Sequence, residues 1–420
     1  MKNLILKYST KTLVLTGFLL LGFSVKAQDV LENYLKIIRE KNPDIQIREK
    51  QYYSALQGVN QTGYLENPRV SVQAFGPAPQ TRTGSQELML SVSQSFPWKG
   101  TLSTQKKIAQ KQAEVKESEI AILTNQLIWE FKQNYYPIYK LHRDSLIYKE
   151  NLEILRVYEK LALQKYEVGK ASMVDVIRIQ TEIRDAETDL ALTPIQKEMY
   201  KAKLNELLFR PANEVVMMDD SLPLPSMPYQ RQDFLDSAFS NFPQFEIFKR
   251  QEALLEVQHK MTYLMNKPEF MAGLNYAAVK RRSTDVPQNG QDILMPMVSV
   301  SIPLYQKQYR SQREQIKIEQ ETLELQKQAV ENSIQGQFGQ IVSRYRNAQT
   351  KIEVFQKQME DIEKANRIQI RAFASSGEDF VEILRFQQQI FKYRLAINQA
   401  YLEQYMAMAD MEMLLASDIK

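Results

Sequence analysis

Two carboxylates stand at matched places in this chain. Asp175 in VGKASMVDVIRIQ and Glu382 in SSGEDFVEILRFQ each fall one turn into a helix that follows a glycine-containing reversal. An acidic side chain there interacts favourably with the helix N-terminus, usually by less than about 1 kcal/mol. Arg385 lies three residues past Glu382, a spacing at which an ion pair spans one helical turn. The reversals themselves are Gly169, Lys170, Ala171 and Ser172 in one case and Ser375, Ser376, Gly377 and Glu378 in the other. Glycine supplies the left-handed closing residue, and Ser172 or Ser376 can cap the returning helix.

Other side chains with chemical potential point to packing. Methionine thioethers favour soft Cu(I) or Ag(I), and Met406, Met408, Met411 and Met413 cluster near the C-terminus, with Met217 and Met218 earlier. Their spacing does not put the four on one helical face, so they read as filling between helices. His142 and His259 have no second ligand at helical spacing and make no zinc site. Cysteine is absent, which removes disulfides, thiolate metal sites and cysteine nucleophiles. The chain has no nucleotide-binding loop, no GxSxG and no convergent His/Asp/Glu set. No catalytic residue, cofactor site or metal site is assigned.

The elements that carry the two reversals are duplicated. VDVIRIQTEI, Val174 to Ile183, returns as VEILRFQQQI, Val381 to Ile390; VSQSFPW, Val92 to Trp98, returns as VSVSIPL, Val298 to Leu304. Tyr64, Asn67 and Pro68 answer to Tyr263, Asn266 and Pro268, and Pro43 to Pro243. A period of about two hundred residues far exceeds the solenoid range of roughly 20 to 50, so each copy contains several elements. Residues 28–210 form the first copy and 231–420 the second, with a proline-rich linker or small accessory segment at 211–230.

Each copy reads as helix, strand, strand, long helix, reversal, helix. Alternation of apolar and polar residues marks strands near 69–76, 87–96, 269–279 and 292–302. Long helices are expected over about 101–168 and 306–373, each roughly 100 Å at 1.5 Å per residue. Pro137 should kink the first. In the second, Phe338, Ile341, Tyr345, Ala348, Ile352, Phe355, Met359 and Ile362 repeat at alternating spacings of three and four, the seam of a coiled coil.

Residues 1–27 carry Lys2, Lys7, Lys11 and Lys26 around an apolar run, Leu13 to Val25, and read as a secretory signal peptide. The formal charge of +4 resides entirely in those lysines, which leaves the mature chain neutral. Nucleic-acid binding therefore loses its electrostatic basis.

The strands match the roughly 9 to 11 residues that a tilted strand needs to cross a bilayer, the first being a little short. Outer-membrane barrels need about 8 strands or more, because an open edge leaves backbone groups unpaired in hydrocarbon. Either these strands do not span a membrane, or several chains share one barrel.

The landmarks Asn42-Pro43, LSVSQSFPWKG, MVSVSIPLY and above all KYEVGKASMVDVIRIQ with its echo FASSGEDFVEILRFQ closely resemble the TolC family of outer-membrane efflux proteins. The resemblance covers nearly the whole mature chain. It implies a mainly α fold with a small β part, assembled as a homotrimer: a 12-stranded β-barrel in outer-membrane lipid, four strands per subunit, continued by a periplasmic α-helical coiled-coil barrel. It implies no enzyme activity and no cofactor. The implied partners are a periplasmic adaptor (membrane fusion) protein and an inner-membrane pump of RND or ABC type, with the chain as exit duct of a tripartite efflux or type I secretion system. In the family, acidic residues at the reversals line a periplasmic aperture, which gives Asp175 and Glu382 that role. Arg385 stands where a second acidic ring is often found, so a Glu382–Arg385 bridge is an alternative lock. The residues Gly169 to Ser172 and Ser375 to Glu378 become adaptor-contact tips. Phe96, Trp98 and Tyr305, near strand ends, are candidates for interfacial aromatics, with Trp98 and Tyr305 marking the periplasmic rim. The competing class is a periplasmic coiled-coil spacer whose hairpins pair within a soluble sheet.

Overall fold

A computed structural model describes residues 30–219, 221–227, 230–284, 286–376 and 380–417. The signal peptide read at 1–27 and the tip residues Gly377 and Glu378 lie outside the described residues, as do parts of the 211–230 linker.

The chain runs α1 (Val30–Lys41), α2 (Pro43–Asn60), β1 (Arg69–Ala74), β2 (Gln80–Thr81), β3 (Gly84–Phe96), α3 (Thr101–Glu167) and α4 (Met173–Leu207). It continues α5 (Arg231–Asn241), α6 (Pro243–Met265), β4 (Glu269–Lys280), β5 (Ile293–Ser301), α7 (Gln306–Ser376) and α8 (Phe380–Leu415). Proline at the first helical position opens both α2 and α6, where its missing N–H costs nothing and its fixed φ suits the helix. Asn42 adds a side-chain cap, accepting the Asp44 N–H at 2.9 Å. Helix α3 holds 67 residues and continues through a buried Pro137. Helix α7 holds 71 residues.

These two helices order the rest. α3 packs against α2 and α6 in the half near the sheet and against α4 and α8 in the half leading away from it, while α7 packs on α6 and α8. The result is a layer four helices wide, ordered α4, α3, α8, α7 at one end and α2, α3, α6, α7 at the other. Among the described residues α7 has no substantial packing with α2 or α4, so the layer has two free flanks. The α7 seam is inside: Phe338, Ile341, Ala348 and Ile352 are buried, and Tyr345, Phe355, Met359 and Ile362 half-buried. It meets Phe234 of α5 and, farther along, Ile397 and Ala400 of α8.

The segment after α4 is fastened across the helices by tyrosine hydroxyls. The Met217 N–H donates to Tyr34 Oη at 2.9 Å, the Leu222 N–H to Tyr139 Oη at 3.2 Å, and Tyr345 Oη donates to the Pro225 carbonyl at 2.8 Å. Asp219 is the hub, accepting the Val30 and Leu31 N–H groups of α1 at 2.9 and 3.2 Å and the Tyr135 hydroxyl at 2.7 Å. A carboxylate at a helix N-terminus satisfies orphan donors and favours the dipole.

The sheet has the order β1-β3-β4-β5, antiparallel throughout, with the two-residue β2 on β3. β3 belongs to the first copy and β4 to the second, so one continuous sheet joins the copies. β1 and β5 are its edges.

Candidate functional site

The register sorts the strand side chains onto two faces. Val70, Val92, Leu274 and Pro296 lie in one row across the four strands, and Val72, Leu90, Tyr276 and Leu294 in the next; Phe96, Phe270 and Val300 continue the same face. Most of these side chains are exposed, Val298 to 77%. The opposite face carries Ser71, Ser91 and Asn275 in one row, and Ser93, Gly273 and Met297 in the next. Residues of β4 on this second face are consistently more sheltered than their neighbours, as the inner side of a curved sheet is. Among the described residues the apolar face is covered only near its helix-side end, by Trp98 and Glu66, while the polar face lines a hollow of about 350 Å³ where Ser95 donates to Glu269. A soluble protein buries its apolar sheet face; this one turns it outward.

All four strand methionines, Met89, Met271, Met295 and Met297, sit on the polar face and none on the apolar one. The methionines singled out by sequence clustering are elsewhere: Met411 is fully buried between helices and Met406 packs against the core. The strand methionines could have been found from the alternation around Met295 and Met297.

Trp98 and Phe270 stack at 6.0 Å near the end of the apolar face that adjoins the helices, beside Phe96, and Tyr305 is 82% exposed just past β5. Phe270 escaped the sequence reading because only the register reveals it as the partner of Phe96.

The reversals lie at the far end of the long helices. Gly169, at φ +72°, closes α3: its N–H donates to the Tyr166 carbonyl at 2.9 Å and the Lys170 N–H to the Lys165 carbonyl at 2.8 Å. Ser172 then opens α4 through a reciprocal cap, its hydroxyl accepting the Val174 N–H at 3.1 Å while its own N–H donates to the Asp175 carboxylate at 3.2 Å. Asp175 also faces Arg178 at 3.5 Å. In the second reversal Glu382 and Arg385 pair at 2.7 Å, and the Arg385 guanidinium lies over the Phe386 ring. The Ser375 hydroxyl donates to the Ala372 carbonyl. Lys165 Nζ donates to the Ala374 carbonyl at 2.7 Å, tying the first reversal to the second, and Phe373 and Phe380 meet at 5.1 Å in a common core with Val176, Ile179 and Ile383. Around this core Val168, Met173, Val174 and Val381 are exposed. This apolar rim was not singled out from sequence, although four bulky apolar residues flanking two turns were the available signal.

Burial pushes the Tyr135 hydroxyl up, reinforced by its bond to Asp219, and burial with neighbouring Tyr139 and Tyr401 pushes Tyr405 up to about 12. Both stay protonated at neutral pH and remain donors to the strap formed by the segment after α4, Tyr135 to Asp219 and Tyr405 to the Leu222 carbonyl at 3.3 Å. Among the described residues no group of three or more His, Cys, Asp or Glu could hold a metal ion. No described helix is long and apolar enough to cross a membrane, a statement that does not concern the sheet.

No protein-family model and no characterised protein matches at the level of sequence. Solved structures do match. The outer-membrane channel OprN superimposes with a TM-score of 0.74 at 15% identity, covering 92% of this chain and 89% of its own. The outer membrane protein VceC from Vibrio cholerae gives 0.71 at 12% identity, covering 92% and 95%. CusC, a protein that forms a transmembrane channel, gives 0.74 at 12% identity, covering 92% and 91%. The chain has the fold of the TolC-family outer-membrane channels. The reversals lie at the end of the long helices farthest from the sheet.

Proposed function

We propose that three copies of this chain close into one gated duct through the outer membrane and periplasm. The single observation that carries this reading is a sheet with an exposed apolar face and two open edges. Hydrocarbon is the solvent that such a face suits, and hydrocarbon tolerates no unpaired edge. Three copies supply 12 strands and join each β5 to the next β1, and the free α7 and α2/α4 flanks close in the same operation. The polar face becomes the lumen, where methionines offer an adaptable lining to varied cargo.

The duct performs no chemistry and works with a periplasmic adaptor and an energised inner-membrane pump of RND or ABC type, which selects the cargo. The adaptor meets the reversals Gly169 to Ser172 and Ser375 to Glu378, where the exposed Val168, Met173, Val174 and Val381 supply apolar contact. Glu382 and Arg385, repeated three times around the aperture, form the lock. Asp175, engaged by Ser172 and Arg178, first of all shapes the turn.

Fractionation tests this. The duct enters the outer-membrane pellet, runs as a heat-modifiable trimer and conducts ions in planar bilayers. Folded monomer recovered from the soluble periplasm would instead establish the spacer.

A further inference from the structure

The two copies within one chain already meet each other, and that internal seam is a template for the seam between chains. Inside, the long helix α3 of the first copy receives the end of α8 from the second. There Ala416, at φ +50°, is only 4% exposed. The Met413 carbonyl accepts the Ala416 N–H at 3.3 Å and Asn125 Nδ2 at 2.7 Å. Trp129 reaches Asp410 at 2.8 Å and Lys132 reaches Glu412 at 2.7 Å from the same stretch of α3.

Helix α4 ends in the same way. Leu207-Leu208-Phe209 matches Leu414-Leu415-Ala416, Phe209 takes φ +54°, and its N–H donates to the Glu206 carbonyl at 3.0 Å. Here, however, the left-handed residue is a phenylalanine, and it is 72% exposed. On α7 the position of Asn125 is held by Asn332, which is exposed, and the position of Phe131 by Phe338. The positions of Trp129 and Lys132 are held by Gly336 and Gly339. Glycine inside a helix lowers its stability relative to alanine, and a Cβ on either would meet nothing within 4 Å.

A bulky residue in a conformation that disfavours it, left in water, and two glycines with open space above them have one common resolution. Counted from Asn332 toward the sheet in steps of seven, the same face of α7 carries Leu325 and Ile318, 66% and 54% exposed. We propose that Phe209 is a plug that packs beside Leu325 on the free flank of α7 of a second copy of the chain. Asn332 then donates to Glu206 of the partner subunit as Asn125 does to Met413 within one chain, and the notch at Gly336 and Gly339 admits the partner's α4. The internal seam places bulk on the long helix and a small residue on the incoming end; the seam between copies reverses the two.

This inference rests on the trimeric reading, and the test separates them. The chain has no cysteine, so Phe209→Cys with Leu325→Cys can be treated with a short bis-maleimide in the full-length protein in detergent. Cross-linked dimers and trimers are expected on denaturing gels. Phe209→Gly removes the plug while easing the left-handed turn, so subunit helicity by circular dichroism is unchanged while trimers dissociate roughly tenfold faster; Phe209→Leu retains most of the wild-type lifetime. A wild-type protein that is trimeric, but whose cysteine pair does not cross-link or whose Phe209→Gly form dissociates no faster, overturns the plug and leaves the duct standing. A monomeric wild-type protein removes both.

Discussion

Lys132 and Glu412 show how much depends on one pair of side chains. Lys132 is almost fully buried between α3 and α8 and meets Glu412 at 2.7 Å. A hydrogen bond to a charged group contributes about 1.5 to 3 kcal/mol. Glu412→Gln, which keeps an acceptor but loses the charge, should therefore lower unfolding stability by roughly 1.5 kcal/mol; denaturant titration followed by circular dichroism reads it. The Glu382–Arg385 pair is different in kind. It is largely exposed, and exposed pairs contribute about 0 to 1 kcal/mol, so Arg385→Ala should leave stability nearly unchanged. If the pair locks the aperture, the same variant raises single-channel conductance in planar bilayers. Unchanged conductance removes that role from Arg385.

Strand β3 tests the assignment of faces. Leu90 and Ser91 are adjacent in sequence and opposite in orientation. If the Leu90 face meets lipid, Leu90→Arg costs about 2 to 4 kcal/mol near the bilayer midplane, and less trimer reaches the outer membrane. Ser91→Arg assembles normally and shifts ion selectivity toward anions, read as a changed reversal potential. A spacer with its sheet in water would tolerate Leu90→Arg as well as Ser91→Arg. The strands were legible because alternation has a period of two, and the α7 seam because apolar residues recur at three and four. The first strand is shorter than its alternation, ending at Ala74, because the facing strand pairs it only from Leu88 to Ser93. Pro137 sits buried within an unbroken α3, where neighbouring helices hold the chain in a conformation that local propensity disfavours.

For the assembled molecule the duplication predicts a register. β3 and β4 pair so that Ser93 faces Gly273 and Gln94 faces Ala272. Carried to the seam between copies, Ser299 faces Gln73 of the partner subunit and Val300 faces Val72 of the partner subunit, which keeps the apolar rows on the outside. Ser299→Cys combined with Gln73→Cys should form a disulfide on mild oxidation and give a covalent trimer on non-reducing gels. A slip of one residue would turn every side chain to the wrong face, so Ser299→Cys with Val72→Cys should not.

The amino-acid sequence by itself determined the duplication, the rod-like helices, the two reversals and the four alternating strands, because each is a periodicity or a local signal carried by neighbouring residues. Tertiary structure alone decided which strand of one copy pairs with which strand of the other, that Phe270 stands opposite Phe96, that Asp175 is engaged in a cap while Glu382 pairs with Arg385, and that tyrosine hydroxyls fasten the strap. Those facts join residues tens to hundreds of positions apart or fix one of several local partners. Chain entropy and packing, not local pattern, select among such contacts.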